Sequence, residues 1–281
     1  MRALSVHEIT QTVRTLLMTA NYEISPDIEA AVQAAKDAEP FAPGQSVLRQ
    51  LCANYQIARD EKIAICQDTG MAILFIDVGQ EVHFVDGDFE QAVQEGVRQA
   101  YRDGYLRKSI VNDPIFDRKN TGDNTPAVLH LRIVPGDKVN ILAVAKGFGS
   151  ENMSAVKMCT PAEGEAGVRD FIIETARKAG PNPCPPMIIG VGVGGSFESA
   201  ALMAKRMTAR PVGVCNPDPR YAKMERDALE AINRTGIGPA GIGGRCTALC
   251  VNIDYAPTHI ASLPVAVNIC CHAARHAEAE I

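Results

Sequence analysis

Met187-Ile188-Ile189-Gly190-Val191-Gly192-Val193-Gly194-Gly195-Ser196 is the stretch on which the fold turns. An apolar run of this length, closed by glycines and a serine, reads as a buried strand entering a helix. A strand that feeds a helix is the building unit of α/β proteins. Gly190, Gly192 and Gly195 also match G-x-G-x-x-G, in the strand-to-helix setting that a dinucleotide site requires. Two features weaken that match. The motif sits late in the chain, and the next strand-like run, Pro211 to Val214, ends in Cys215-Asn216-Pro217 with no acid to meet a ribose. A nucleotide-binding oxidoreductase therefore stands as the alternative of a different class.

Upstream of this stretch, Pro183-Cys184-Pro185-Pro186 places a cysteine between prolines. The prolines fix the backbone and remove competing N–H donors, so the thiol is held stiffly, as a preorganised ligand should be. Further upstream, Glu163 to Ala179 has the pattern of a helix ending at Gly180-Pro181. Before that helix, Val139 to Ala145 alternates as a strand and runs into Lys146-Gly147-Phe148-Gly149-Ser150-Glu151-Asn152. Glycines there let the backbone approach a ligand, and Lys, Ser and Asn supply polar contacts. Val128 to Val134 reads as the partner strand, joined through Pro135-Gly136-Asp137.

A second polar knot is Ile65-Cys66-Gln67-Asp68-Thr69-Gly70, set between the apolar runs 62–65 and 71–76. It reads as a tight turn between buried strands, with a thiol and a carboxylate two residues apart. Asp88 is placed to cap a helix running to about Asp103. Arg107 and Lys108 follow that helix, either as solvated dipole partners or as an anion clamp for a dicarboxylate. Residues 4–38 and about 45–58 carry helical periodicity, so roughly the first 60 residues form a helical region without reactive groups.

Downstream, Arg220 to Arg234 is helical, Gly236 to Gly244 is a glycine-rich loop, and Thr247 to Ile253 is a strand. The closing segment holds His259, Cys270, Cys271, His272, Arg275 and His276, and reads as a short strand passing into a terminal helix.

The bulk composition restricts the functional classes. A chain of 281 residues, 46% hydrophobic and 22% charged, builds one large domain or two modest ones. A net charge of -5 argues against a nucleic-acid surface. No apolar run approaches the roughly 18–20 residues of a membrane span, and residues 1–8 lack a secretory core, so the expectation is a cytoplasmic protein. Nine cysteines, odd in number and without a Cys-x-x-Cys pair, make neither a disulfide framework nor a zinc ribbon. Cys66, Cys184 and Cys271 or Cys270 could instead converge on an iron–sulfur cluster, whose ligands are thiolates. Cys52, Cys159, Cys215, Cys246 and Cys250 read as buried structural residues. A storage or assembly protein with buried cysteines is the non-enzymatic alternative.

Taken together, Cys66-Gln67-Asp68-Thr69-Gly70, Lys146 to Asn152, Cys184-Pro185-Pro186 and the segment from His259 to Arg275 resemble the iron–sulfur hydro-lyase α subunit. That family comprises the N-terminal half of class I fumarate hydratase, the α subunit of its two-subunit form and the α subunit of L-tartrate dehydratase. The resemblance covers nearly the whole chain. It implies an α/β fold, a mixed sheet flanked by helices, as one α-type catalytic domain over 1–281 with two lobes. It implies a 4Fe-4S cluster on Cys66, Cys184 and Cys271, with Cys270 the weaker candidate. It places Asp68 at the proton-transfer position, as acid or base, and Gln67, Arg107, Gly149 and His259 near the substrate. Phe148 departs from the small residue that many members carry there. The activity implied is reversible hydration of fumarate to L-malate, with tartrate dehydration or mesaconate hydration as same-class alternatives. A β subunit would complete the site, in an α2β2 assembly.

Overall fold

This computed structural model describes residues 2–281, and the chain divides into two compact units. The first comprises residues 1–25, 55–148 and 275–281; the second comprises 26–54 and 149–274. Both are mixed α/β, as the resemblance implies. Among the described residues no helix is long and apolar enough to cross a membrane.

The first unit is built on β2 (Met71–Gly79). It pairs parallel with β4 (Val128–Val134) and antiparallel with β5 (Val139–Lys146), and β5 pairs antiparallel with β10 (Arg275–Glu280). The sheet order is β10-β5-β2-β4. Along β2, Ala72, Leu74, Ile76 and Val78 share one face and enter the core, as a period of two demands. Against that face lie Ile9, Val13, Leu16 and Leu17 of α1 (Val6–Tyr22) and Val93, Val97, Ala100 and Tyr101 of α4 (Phe89–Asp103). Each fully buried aliphatic side chain there contributes about 1.5–3 kcal/mol. Asp88 caps α4 by accepting the Gln91 N–H at 2.8 Å. Two short strands, β1 (Arg2–Ser5) and β3 (Val82–Val85), pair parallel in a separate sheet.

The second unit carries the sheet β6-β9-β7-β8, from β6 (Ala155–Cys159), β7 (Met187–Gly194), β8 (Ala248–Ala256) and β9 (Leu263–Cys270). β7 is buried along its whole length and runs parallel to β8 and antiparallel to β9. Apolar residues of α6 (Gly164–Ala179) and α8 (Pro219–Asn233) share one core with Ile189, Val191 and Val193. The other face receives α7 (Phe197–Met207), which explains the glycines. A Cβ at Gly190 would lie 2.1 Å from the Ala204 carbonyl oxygen, and one at Gly192 would lie 2.1 Å from that of Ala200. Glycine at both positions lets α7 seat its backbone on the strand. The same unit contains α2 (Pro26–Ala38) and most of α3 (Ala42–Glu61), and α5 (Phe148–Glu151) follows β5.

Four local expectations are corrected. The final segment 275–280 is β10, not a helix: register with β5 from Arg275–Ala145 to Glu280–Asn140 overrides the helical propensity of its alanines. Residues 211–214 form a turn, because Pro211 has no N–H and the Val212 N–H goes to Asp27 Oδ2 at 2.6 Å. Residues 63–65 are loop, so the Cys66 knot joins a helix to a strand rather than two strands. Residues 2–5, near the front of the helical region, are a strand.

The packing at Gly192 is testable by denaturant unfolding. Gly192→Ala should cost about 3 kcal/mol or more, because α7 must lift off the sheet. Gly149→Ala, whose Cβ would meet nothing nearer than Asn182 O at 3.9 Å, should change stability by less than about 0.5 kcal/mol.

Candidate active site

In the first unit the residues 65–70 lead into the start of β2, and Gly70 sets their shape. Its φ is +78°, and a Cβ there would stand 2.7 Å from the carbonyl carbon of Lys146 and 2.8 Å from that of Ala145. The knot therefore lies directly on the end of β5, with no side chain between the backbones. Around this crossing the peptide groups are closely held. Tyr101 Oη lies 2.8 Å from the Thr69 carbonyl and 2.9 Å from that of Gly70. Asn124 Nδ2 donates to the Gly70 carbonyl at 3.1 Å, and its Oδ1 accepts the Ser109 N–H at 2.7 Å. Burial, reinforced by Asp68 and opposed by Arg275, pushes the Tyr101 phenol above its ordinary range, so it remains a neutral donor.

Asp68 is half-buried, and both of its carboxylate oxygens are engaged. Oδ1 accepts the Gly70 N–H at 3.1 Å, and Oδ2 accepts the Phe148 N–H at 2.9 Å. The Asp68 carbonyl accepts from Arg275 Nη1. Thr69 Oγ1 donates to the Arg107 carbonyl at 2.8 Å, which ties the segment bearing Arg107 to the residue after Asp68. Arg107 and Gln67 are exposed, and Cys66 is half-buried with Sγ 3.8 Å from Gln67 Oε1. The first unit thus brings Cys66, Gln67, Asp68 and Arg107 into one neighbourhood. This set can bind an anion at Arg107 and move a proton at Asp68.

In the second unit, Cys184 precedes β7 and Cys271 follows β9. These strands are antiparallel and Ile188 pairs with Cys270, so both thiols stand at the same end of the sheet. Cys184 is exposed, with φ +52°, and its N–H donates to the Pro181 carbonyl at 3.1 Å. A left-handed backbone at a residue other than glycine costs about 1–3 kcal/mol. The glycine-rich loop 236–244 buttresses it: Ala240 N–H donates to the Pro185 carbonyl at 2.9 Å, and Gly241 leaves room for Pro181. Cys271 is half-buried, and Cys270 is 4% exposed with its side chain in the unit's interior. Gly149 is exposed beside Phe148. His259 lies in the loop between β8 and β9, at the opposite end of β9 from Cys271; an eight-residue strand spans roughly 26 Å.

The donor chemistry fits a thiolate-held cluster. No cysteine forms a disulfide, and Cys66, Cys184 and Cys271 are each at least partly accessible. Among the described residues no three His, Cys, Asp or Glu side chains are gathered into a metal-holding group. The other cysteines divide. Cys159 and Cys250 are buried, and burial pushes the Cys246 and Cys250 thiols up to about 12. Cys215 is exposed, and Cys52 and Cys246 are only partly buried, contrary to their reading as buried. Sequence reasoning did not single out Tyr101, Asn124 or Arg275. Tyr101 follows Val93 and Val97 at helical spacing and passes for core, and nothing in the sequence marks Arg275 as buried.

The chain is similar to known proteins along nearly its whole length. A family model described as fumarate hydratase (Fumerase) matches residues 10–280. A chain from Methanocaldococcus jannaschii, whose name assigns it provisionally as an L(+)-tartrate dehydratase subunit alpha, is 35% identical over 274 residues, covering 96% of each chain. The protein named L(+)-tartrate dehydratase subunit alpha from Escherichia coli strain K12 is 32% identical over 275 residues, covering 96% of this chain and 90% of that one.

Thiol accessibility can be checked by timed alkylation at pH 8 with mass spectrometry. Cys184 and Cys215 should be modified first. Cys246 and Cys250 should stay unmodified until the protein unfolds, because thiols held near 12 carry almost no thiolate at that pH.

Proposed function

The chain belongs to the fumarate hydratase (Fumerase) family, and from that premise we propose that it is the cluster-carrying α subunit of a hydro-lyase that reversibly hydrates fumarate to L-malate. The observation that carries the reading is the Asp68 knot. A carboxylate with each oxygen fixed by a backbone N–H sits beside a candidate ligand thiol, and its neighbour Thr69 is bonded to the Arg107 main chain. Cys66, Cys184 and Cys271 hold a 4Fe-4S cluster in this proposal. Held by these three thiolates, such a cluster would supply Lewis-acid polarisation of an oxygen substituent.

The chain's own residues supply the rest. Arg107 offers a guanidinium, with its forked donors, to one substrate carboxylate. Gln67 and the exposed backbone of Gly149 add hydrogen bonds that orient the dicarboxylate. Asp68 exchanges a proton at its carboxylate as water is added or removed, and the Gly70 and Phe148 N–H groups keep that carboxylate in one orientation. His259 contributes where the assembled enzyme brings it to substrate. A β subunit completes the site, in an α2β2 assembly in the cytoplasm; the alpha designation of the named relatives supports a β partner.

L-Tartrate dehydration is the second reading, favoured by the names of those relatives. Its substrate has one more hydroxyl than malate, so the choice depends on which groups meet that hydroxyl.

Anaerobic reconstitution with iron and sulfide, followed by addition of the β partner, tests both readings. A broad visible band with ~4 irons per chain is expected. Cys66→Ala, Cys184→Ala and Cys271→Ala should each abolish it, and Cys270→Ala should not. Turnover of fumarate or malate in excess of tartrate supports the first reading, and the reverse supports the second. No iron uptake by the wild-type chain sinks the cluster assignment.

A further inference from the structure

Arg275 is 2% exposed, and its surroundings are those of the Asp68 knot. A buried guanidinium is costly unless its N–H groups are used. Nη1 donates to the Asp68 carbonyl. Nη2 lies against Gly147, where a Cβ would come within 3.0 Å of it and within 3.2 Å of Asp68 Oδ2. Gly147 thus leaves a space that the guanidinium and the Asp68 carboxylate share. Nε is buried without a hydrogen-bond partner, so the side chain accepts an unsatisfied donor in order to sit there.

The sheet fixes both ends of this contact. Arg275 pairs with Ala145 at the start of β10, and Lys146, the next residue of β5, pairs with Met71, three residues beyond Asp68. We propose that Arg275 is the positioning residue for Asp68: its guanidinium clamps the Asp68 carbonyl and so holds the carboxylate where Gly70 and Phe148 N–H reach its two oxygens. The inference rests on the reading of Asp68 as the proton-transfer group. Without the clamp the Asp68 peptide is free to turn, and the carboxylate leaves its two donors. A displacement of about 1 Å at a reacting group can cost on the order of 100-fold in rate. A lysine at 275 would keep the charge as a single point, without the planar fork that addresses two directions.

The test uses the cluster-loaded chain with its β partner, comparing Arg275→Lys and Arg275→Met with wild type. Arg275→Met should lower kcat by about 10- to 100-fold and leave KM within about twofold, since the lost interaction orients a reacting group and does not bind substrate. Arg275→Lys should recover part of kcat. Iron content and the visible band should be unchanged. Amide hydrogen exchange at Gly70 and Phe148 should accelerate in Arg275→Met. Unchanged kcat, a raised KM with kcat intact, loss of iron from a folded variant, or unchanged exchange at both amides would each overturn the proposal. If Arg275→Met does not fold, Arg275→Lys carries the same measurements. If wild type turns over no hydroxy acid, the functional reading falls, and exchange at Gly70 and Phe148 still decides whether Arg275 positions Asp68.

Discussion

The first unit depends on a crossing of two backbones at Gly70. The main chain there passes so close to Ala145 and Lys146 that a single methyl group would stand 2.7 Å from a carbonyl carbon. Three consequences follow from that closeness. The strand after Gly70 is set in register with β5 from its first residue, Met71 opposite Lys146. The Asp68 carboxylate, two residues before Gly70, is turned toward Phe148, at the exit of the same strand. The carbonyls of Thr69 and Gly70, unable to join a ladder at a crossing, draw in Tyr101 and Asn124 as side-chain partners. The Asp68 carboxylate is thereby supported by the sheet.

The second unit uses glycine for close approach too, but between different elements. Gly190 and Gly192 bring α7 onto β7, and Gly241 brings a loop onto Pro181. In the sequence Gly190 and Gly192 are open to a phosphate-binding reading, because a backbone that must approach another backbone and a backbone that must approach a ligand demand the same residue. Only the neighbour decides, and at 190 and 192 the neighbours are carbonyls of α7. That packing accounts for the first two glycines of the motif without any nucleotide.

Much of the rest was legible. The long apolar runs of β2 and β7, the cap at Asp88 and the helix stop at Gly180-Pro181 each obey local rules, and the structure has them where those rules put them. Two of the errors share a cause. Residues 275–280 and 211–214 take their conformation from partners far along the chain, β5 and Asp27, and no local pattern reveals a partner. The candidate site divides the same way. Cys66, Asp68 and Cys184 announce themselves by polar or proline-fixed surroundings. Arg275 and Tyr101 acquire their roles from burial and from a carbonyl they could be matched with only in three dimensions.

The discontinuous path of the first unit bears on how the protein is made. Its sheet takes β5 and β10 as neighbours, yet the entire second-unit segment 149–274 lies between them in the chain. On the ribosome, where folding proceeds from the N-terminal side, β2, β4 and β5 emerge with α1 and α4 long before β10 is translated. The early sheet must wait with one flank of β5 unpaired, an edge open to other nascent chains. Arg275 emerges at the head of the strand that closes this edge, so the Asp68 knot is clamped only after translation has passed through the second unit.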